Sequence, residues 1–540
     1  MLPGRQFPVK LRRAFRVARR TYVTHFGLPG IAELGDGMDQ ILSATVEIAQ
    51  GKLQGVARDG VLRFNGIPFA KPPVGHLRWH LPEAPEPWAG TRDASRFGNI
   101  APQVESTSGA VLGGTPGTRS EDCLYLNIQT PACDAAKRAV LVWIHGGGFV
   151  NGAGSVGTYN GKFIVPRGDV VLVTINYRLG AFGFLNLHDA SGGKLPGTGA
   201  EGLADQIAAL KWVEENIAAF GGDPDNVMIF GESAGGMSVG ALLAAPAARG
   251  LFHKAIAQSG ASDIGYARDT SAKVARHVMD KLGSTDPFEA PWETILGIQK
   301  DMLASPREVG LGMPFAPTSD GTILPKRAIE CVSEGSAKGV PVMTGTTRDE
   351  WKLFTVAAAN LRGMDEARLR KMTTNLIGEA GVTDLLAGYE KGTPFERWND
   401  VMTDHSFFFP ATRLLESQAA YAPVYAYRFD WASPMMDGSL GACHALELGF
   451  MFGTMRVKGA APFFGSGAAA EELSNAMMDA WLAFAKTGDP SNAACGDWQP
   501  YDTTKRMTMI FGDGAPHLTS APNEERRRAW QGIAADKIGP

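Results

Sequence analysis

The chain has 540 residues, 44% of them hydrophobic and 20% charged, with a formal net charge of −4 at pH 7. That is a globular composition with material for a large core, and no apolar run approaches the ~18 residues of a membrane span. The first 20 residues hold seven basic side chains and no acid, leaving a body of 45 basic against 56 acidic residues, which argues against nucleic acid as a partner.

Residues 1–42 read as a basic, disordered leader. Arg12-Arg13-Ala14-Phe15 is similar to the core of a twin-arginine export signal, but Arg19, Arg20 and Asp36 interrupt the apolar segment that should follow. The leader is Arg-rich and acid-poor like an organelle transit peptide, yet lacks serine. The five cysteines (Cys123, Cys133, Cys331, Cys443, Cys495) show no CxxC or zinc-ligand spacing. A reducing compartment, the cytoplasm, is the expectation, with export or organelle targeting the lesser alternative. Neither a metal nor a cofactor is expected.

Folded sequence begins near Ser43, and residues 43–540 read as a single domain without repeats or linkers. Residues 45–48 alternate like a strand, and 61–64 follow a turn at Asp59-Gly60, which predicts an antiparallel edge. Residues 124–128 form another strand. The run 139–144 is continuously apolar, as in a strand covered on both faces, and 169–176 reads as a second such strand. Leu203, Ile207, Leu210, Val213 and Ile217 recur at helical spacing before a stop at Gly221-Gly222. Residues 227–230, 254–258, 340–344 and 424–429 predict further buried strands. Strands alternating with helices predict an α/β fold: a mostly parallel sheet clad on both faces. The helix-rich stretches 265–312 and 355–420 are expected to be cap-like insertions.

Chemistry concentrates in two glycine-rich motifs. Phe230-Gly231-Glu232-Ser233-Ala234-Gly235-Gly236 follows a buried strand and opens a helix. A G-x-S-x-G there sets Ser233 on a sharp turn above the sheet, beside the free N–H groups of a helix N-terminus. His145-Gly146-Gly147-Gly148 follows an earlier strand, and its glycines let backbone N–H groups converge on one oxygen. Gly152-Ala153-Gly154-Ser155-Val156-Gly157 fits a dinucleotide fingerprint, but the next strand ends in Asn176-Tyr177-Arg178 with no acid for a ribose.

With Glu121-Asp122-Cys123-Leu124, Asn176-Tyr177-Arg178-Leu179-Gly180, Phe220-Gly221-Gly222-Asp223-Pro224 and Ala257-Gln258-Ser259-Gly260 in the same order, the chain resembles the type-B carboxylesterase/lipase family, which includes bacterial p-nitrobenzyl esterases and cholinesterases. The resemblance runs from about Val46 to the C-terminal region. It implies an α/β-hydrolase fold, a small-molecule ester substrate, and a bulky alcohol with a short-to-medium acyl group. It implies Ser233 as nucleophile, Glu350 as acid and His444 as base, with Asp349 and Asp320 as rival acids. It implies the N–H groups of Gly147, Gly148 and Ala234 as the oxyanion hole, and Glu232, Ser259 and Glu447 as a supporting polar network. Relatives often pair the cysteine of the Glu-Asp-Cys-Leu motif with one upstream, yet here the matching position is Ala101. Trp351 follows the acid where many relatives have glycine. A non-catalytic adhesion relative and activity on carbamates, amides or thioesters are the competing readings. A monomer or homodimer is expected, and activity should fall below about pH 6–7 as a histidine base protonates.

Overall fold

A computed structural model describes residues 43–104, 114, 117–305, 312–512 and 514–539. The leader lies outside the described residues. Thirteen strands form one sheet: β1 (Ser43–Ile48), β2 (Gly51–Arg58), β3 (Val61–Pro68), β4 (Thr91–Asp93), β5 (Tyr125–Thr130), β6 (Arg138–Ile144), β7 (Val171–Ile175), β8 (Gly222–Glu232), β9 (Lys254–Gln258), β10 (Val342–Thr347), β11 (Val424–Phe429), β12 (Met507–Phe511) and β13 (His517–Ser520). Their order is β1-β2-β3-β5-β7-β6-β8-β9-β10-β11-β12-β13, with β4 beside β2. The run from β7 to β12 is parallel, while β1, β2, β3 and β5 pair antiparallel at one side and β13 closes the other.

The expected antiparallel edge is present but contains a strand more than its sequence pattern suggests. β2 lies between β1 and β3, and Asp59 (φ 55°) and Gly60 (φ 73°) form the tight turn into β3. Two positive φ angles match the twist of a hairpin. Gly51, Gly55, Lys52 and Gln54 dilute the strand pattern of β2, in which Leu53 is fully buried. Gly55 is needed where it stands, because a Cβ there would fall 2.4 Å from the Arg63 carbonyl oxygen of β3.

Alternation within the parallel strands divides two cores. Val140, Val142 and Ile144 of β6 face one cluster, which includes Leu203, Leu210 and Val213 of helix Glu201–Asn216. Leu141 and Trp143 face the other, with Trp481 and Phe484 of helix Ala468–Thr487. Both faces of the sheet are therefore covered, which is why these strands read as unbroken apolar runs.

Two of the motifs prove to be anchors. Glu121 forms a two-pronged pair with Arg78 (2.6 Å at both bonds), and Arg78 also donates to the carbonyls of Pro287 and Ala290, tying the segment before helix Trp292–Ala304 to the body. Arg178 is 2% exposed and Asp205 is fully buried; their side chains bond at 2.7 and 2.8 Å, and Asp205 also accepts the Arg178 N–H at 3.0 Å. The pair joins the loop after β7 to helix Glu201–Asn216. Asp205→Ala strands a buried guanidinium, so urea unfolding should show a loss of about 3–5 kcal/mol with unchanged slope. A loss below about 1 kcal/mol would show the site to be solvated.

Candidate active site

The parallel strands bring the candidate residues to one end of the sheet, in the loops after the carboxyl ends of β6, β8, β9, β10 and β11, where ligands bind in open α/β sheets. Ser233 sits between β8 and helix Ala234–Ala244 with φ 58° and ψ −126°. That conformation is costly for a non-glycine residue and persists only where surrounding structure enforces it. The enforcement is visible: the Ser233 N–H donates to the Gln258 carbonyl at 2.9 Å, and its carbonyl accepts the Met237 N–H at 2.9 Å. Four glycines permit the close approach. A Cβ on Gly235 would lie 2.1 Å from the Ile144 oxygen; on Gly231, 2.5 Å from the Gly235 carbonyl carbon; on Gly236, 2.6 Å from the Gln258 oxygen; on Gly260, 2.3 Å from the Ser233 oxygen.

The loop after β6 presses against this turn. A Cβ on Gly146 would meet the Glu232 oxygen at 2.5 Å, and Gly147 (φ 111°) and Gly148 (φ 60°) take conformations that side chains disfavour. The Gly147 carbonyl accepts the N–H groups of Val150 and Asn151, both at 3.1 Å, and the Phe149 carbonyl accepts that of Gly180 at 2.7 Å. Among the described residues, no hydrogen bond claims the N–H of Gly147 or Gly148. The Ala234 N–H stands at the first turn of its helix, which has no side-chain cap. His145 stacks on Tyr177 (centroids 4.5 Å, 20°), and burial lowers its pKa to about 4, so it is a neutral prop for the loop.

His444 Nδ1 lies 2.6 Å from Glu350 Oε2, and Glu350 Oε1 accepts the Thr347 N–H at 2.8 Å. Nε2 of His444 lies 3.0 Å from Glu232 Oε1, close enough for an ion pair but off the hydrogen-bond direction. Burial pulls the His444 pKa down, but the Glu232 and Glu350 carboxylates together outweigh it and hold it well above 6.5. Glu447 is fully buried, and burial with the neighbouring Glu232 and Glu350 charges pushes its carboxyl up to about 8, so it carries a proton at neutral pH. Burial also raises the Glu232 carboxyl. Among the described residues, Ser259 Oγ and Glu447 Oε2 are buried without a hydrogen-bond partner. Ser233 Oγ makes no hydrogen bond to His444 among the described residues, and such bonds often tighten only around substrate.

The rival acids are occupied elsewhere. The Asp349 N–H donates to the Ala442 carbonyl (2.8 Å), its Oδ2 accepts the Ala442 N–H (2.9 Å), and the carboxylate pairs with Arg348 and Lys352. It therefore fixes the loop that delivers His444. Asp320 accepts the N–H groups of Thr322, Ile323 and Leu324, at 2.8–3.0 Å, in its own turn. The dinucleotide-like glycines are also engaged: the Gly152 N–H donates to Gln103 Oε1 and that of Gly154 to Asn176 Oδ1.

Sequence reasoning missed several neighbours. Gln258 donates to Glu447 Oε1 at 3.2 Å and accepts from Trp481 Nε1 at 3.0 Å. A polar residue ending an apolar strand was the available signal for Gln258; Trp481 is remote in sequence and gave none. Phe354 and Phe407 flank the His444 ring at centroid distances of 5.1 and 4.8 Å, and Trp351 packs on Phe354 at 4.8 Å. Phe354 is 47% exposed, a large apolar ring left open beside the histidine.

A serine on a strained strand–helix turn, a buried carboxylate–histidine pair and unclaimed backbone N–H groups, all at one end of a doubly clad parallel sheet, define a serine hydrolase of the α/β-hydrolase fold. The carboxylesterase family model matches residues 42–530, and the chain belongs to that family of carboxylic-ester hydrolases. It is 40% identical to the para-nitrobenzyl esterase of Bacillus subtilis over 487 residues, covering 88% of this chain and 96% of that protein. It is 34% identical to the phenmedipham hydrolase of Pseudarthrobacter oxydans, covering 86% and 94%. Among solved structures, the Geobacillus stearothermophilus carboxylesterase EST55 superposes with a TM-score of 0.81 at 39% identity, covering 90% of this chain and all of that one.

Gly235→Ala puts a methyl group against the Ile144 carbonyl, with an expected stability loss of about 1–3 kcal/mol and a larger loss of turnover, because the Ser233 turn must move. Thermal unfolding and ester hydrolysis measured together test this; native turnover in a folded variant would show that the close approach is not required.

Proposed function

We propose that the enzyme hydrolyses carboxylic esters through an acyl-enzyme on Ser233, with His444 as general base and then acid, and Glu350 as the residue that orients it. The observation that carries this reading is the 2.6 Å Glu350–His444 bond beside the strained Ser233 turn. His444 Nε2 takes the Ser233 proton as Oγ attacks the ester carbonyl, and the N–H groups of Gly147, Gly148 and Ala234 receive the oxyanion, each donor contributing about 3–4 kcal/mol. The carbonyl–alkoxy bond then breaks and His444 returns the proton to the leaving alcohol. Water repeats the attack on the acyl-enzyme and restores Ser233.

Glu232, Ser259 and Glu447 form the polar network around the histidine, with Glu232 beside Nε2. The aromatic wall of Trp351, Phe354 and Phe407, exposed at Phe354, supports a substrate with a bulky alcohol and a short-to-medium acyl group, and the para-nitrobenzyl esterase relative is consistent with it. All five cysteines are unpaired, which supports a cytoplasmic location.

Ser233→Ala should lower kcat by about 10⁴-fold or more and abolish the mass adduct formed by an organophosphate. Equal p-nitrophenyl butyrate turnover by variant and parent, or no adduct on the parent, would sink this assignment. His444 must be neutral to accept the proton, so activity is lost as pH falls through its raised pKa. The acid limb of kcat/KM should therefore lie above that of an unperturbed imidazole. Glu232→Gln removes one neighbouring anion and should move that limb to lower pH; a limb that stays in place would count against His444 as the titrating base.

A further inference from the structure

The helical segment behind His444 contains an irregular turn. Helix Pro394–Thr403 runs into a π turn, Asp404–Phe408, and continues as helix Phe409–Gln418. A π turn inserts one residue through i→i+5 bonding, is rare, and is frequent at functional sites. Here it aims two neighbouring side chains at different structures. Asp404, fully buried, accepts from Arg526 Nε (2.5 Å), Arg526 Nη2 (2.6 Å) and the Tyr389 hydroxyl (2.5 Å). Trp530 Nε1 donates to that same hydroxyl at 2.6 Å, and the Arg526 guanidinium lies 5.3 Å over the Tyr389 ring. The C-terminal segment holds the next residue as well: His405 Nε2 lies 3.1 Å from the Lys537 carbonyl, and the Gly539 N–H donates to the His405 carbonyl.

The other side of the same turn faces the site. Phe407 packs on the His444 ring and lies nearly parallel to Phe354 (9°). Thr403, the residue before the turn, accepts the N–H of Trp351 at 3.1 Å, so it holds the backbone directly after Glu350. Thr355 Oγ1 bonds Asn399 Oδ1 one turn earlier. The segment after Glu350 and a ring against His444 thus both rest on residues 399–407, which are gripped from behind by residues 526–539.

We infer that Asp404 is a positioning residue for the hydrolysis, clamped by Arg526 and Tyr389 so that the π turn holds Phe407 against His444 and Thr403 against the backbone beyond Glu350. This rests on the assignment of His444 as the base. The physical reason is the shape of the constraint. Glu350 fixes one ring nitrogen of His444, but packing on the faces of the imidazole must fix its tilt. A carboxylate with three donors holds the turn in one geometry, and losing one donor weakens that grip on a buried charge. Relaxation of the π turn to α-helical bonding would shift the register of the turn and rotate Phe407 away from the imidazole. Small misplacements of reacting groups cost up to about 10²-fold in rate.

The test uses the full chain with Tyr389→Phe, Arg526→Lys and Arg526→Gln, each counted for functional sites by organophosphate titration to completion. In Tyr389→Phe, kcat per titrated site should fall about 5–10-fold with KM within twofold. Arg526→Gln should fall further, and Arg526→Lys, which keeps the charge, should recover part of the loss. A purely structural role would lower the number of titrated sites and leave kcat per site unchanged. Unchanged kcat per site in both Tyr389→Phe and Arg526→Lys would overturn the inference. If Arg526→Gln does not fold, Tyr389→Phe carries the test. Residual native turnover in Ser233→Ala would instead remove the catalytic assignment on which the inference rests, so the two failures are distinguishable.

Discussion

The backbone of β6, β8 and β9 approaches Ser233 more closely than side chains would permit, and the site depends on that approach. Gly146, Gly231, Gly235, Gly236 and Gly260 each occupy a point where a Cβ would fall 2.1–2.6 Å from backbone of a neighbouring segment. The resulting compression holds Ser233 at φ 58° and sets the loop after β6 against it. Backbone N–H groups then stand close to the serine without any side chain to align them. A rigid arrangement of this kind stabilises developing charge without reorganisation during the reaction.

The second constraint is electrostatic. His444 has Glu350 on one nitrogen and Glu232 near the other, with Glu447 buried in the same cluster. Burial, with Glu232 and Glu350 close by, pushes the Glu447 carboxyl up so that it holds a proton, and the neighbouring Glu232 and Glu350 bias the histidine toward its charged form. On the proposed assignment, that bias favours the imidazolium that would arise when Ser233 is deprotonated, at the expense of the neutral base at lower pH. Gln258 sets one side of this arrangement, because the Trp481 N–H can only donate and so turns the Gln258 amide nitrogen toward Glu447.

Distant parts of the chain converge on the same ring. Asp349 ties the His444 loop to the segment that carries Glu350, the helical stretch between β10 and β11 supplies Phe407, and the C-terminal helix secures that stretch through Asp404. The segment before helix Trp292–Ala304 is bound through Arg78 to the Glu121 of the Glu-Asp-Cys-Leu motif. Motifs that look catalytic by position in the sequence therefore include ones that are joints of the framework.

Local chemistry made much of this legible from sequence. The apolar runs of β6, β7, β8 and β9 are long enough and uniform enough to show strands covered on both faces. The glycine-rich motifs show where backbone must approach backbone, and their order along the chain suffices for the family. β2 was illegible because its glycines and polar residues answer to β3 rather than to a local pattern. β12 and β13 likewise form only as the far margin of a sheet already built. The choice among Glu350, Asp349 and Asp320 as histidine partner is likewise a matter of distance and direction, which only the folded chain supplies. The contacts of Phe407 with His444 and of Trp481 with Gln258 leave no sequence signature, since each joins residues tens to hundreds of positions apart. Sequence by itself determined the strands, the turns and the residue types of the chemistry, because those follow from near-neighbour sterics and burial. Tertiary structure alone decided which carboxylates crowd His444 and what holds its ring, because electrostatics and packing act through space.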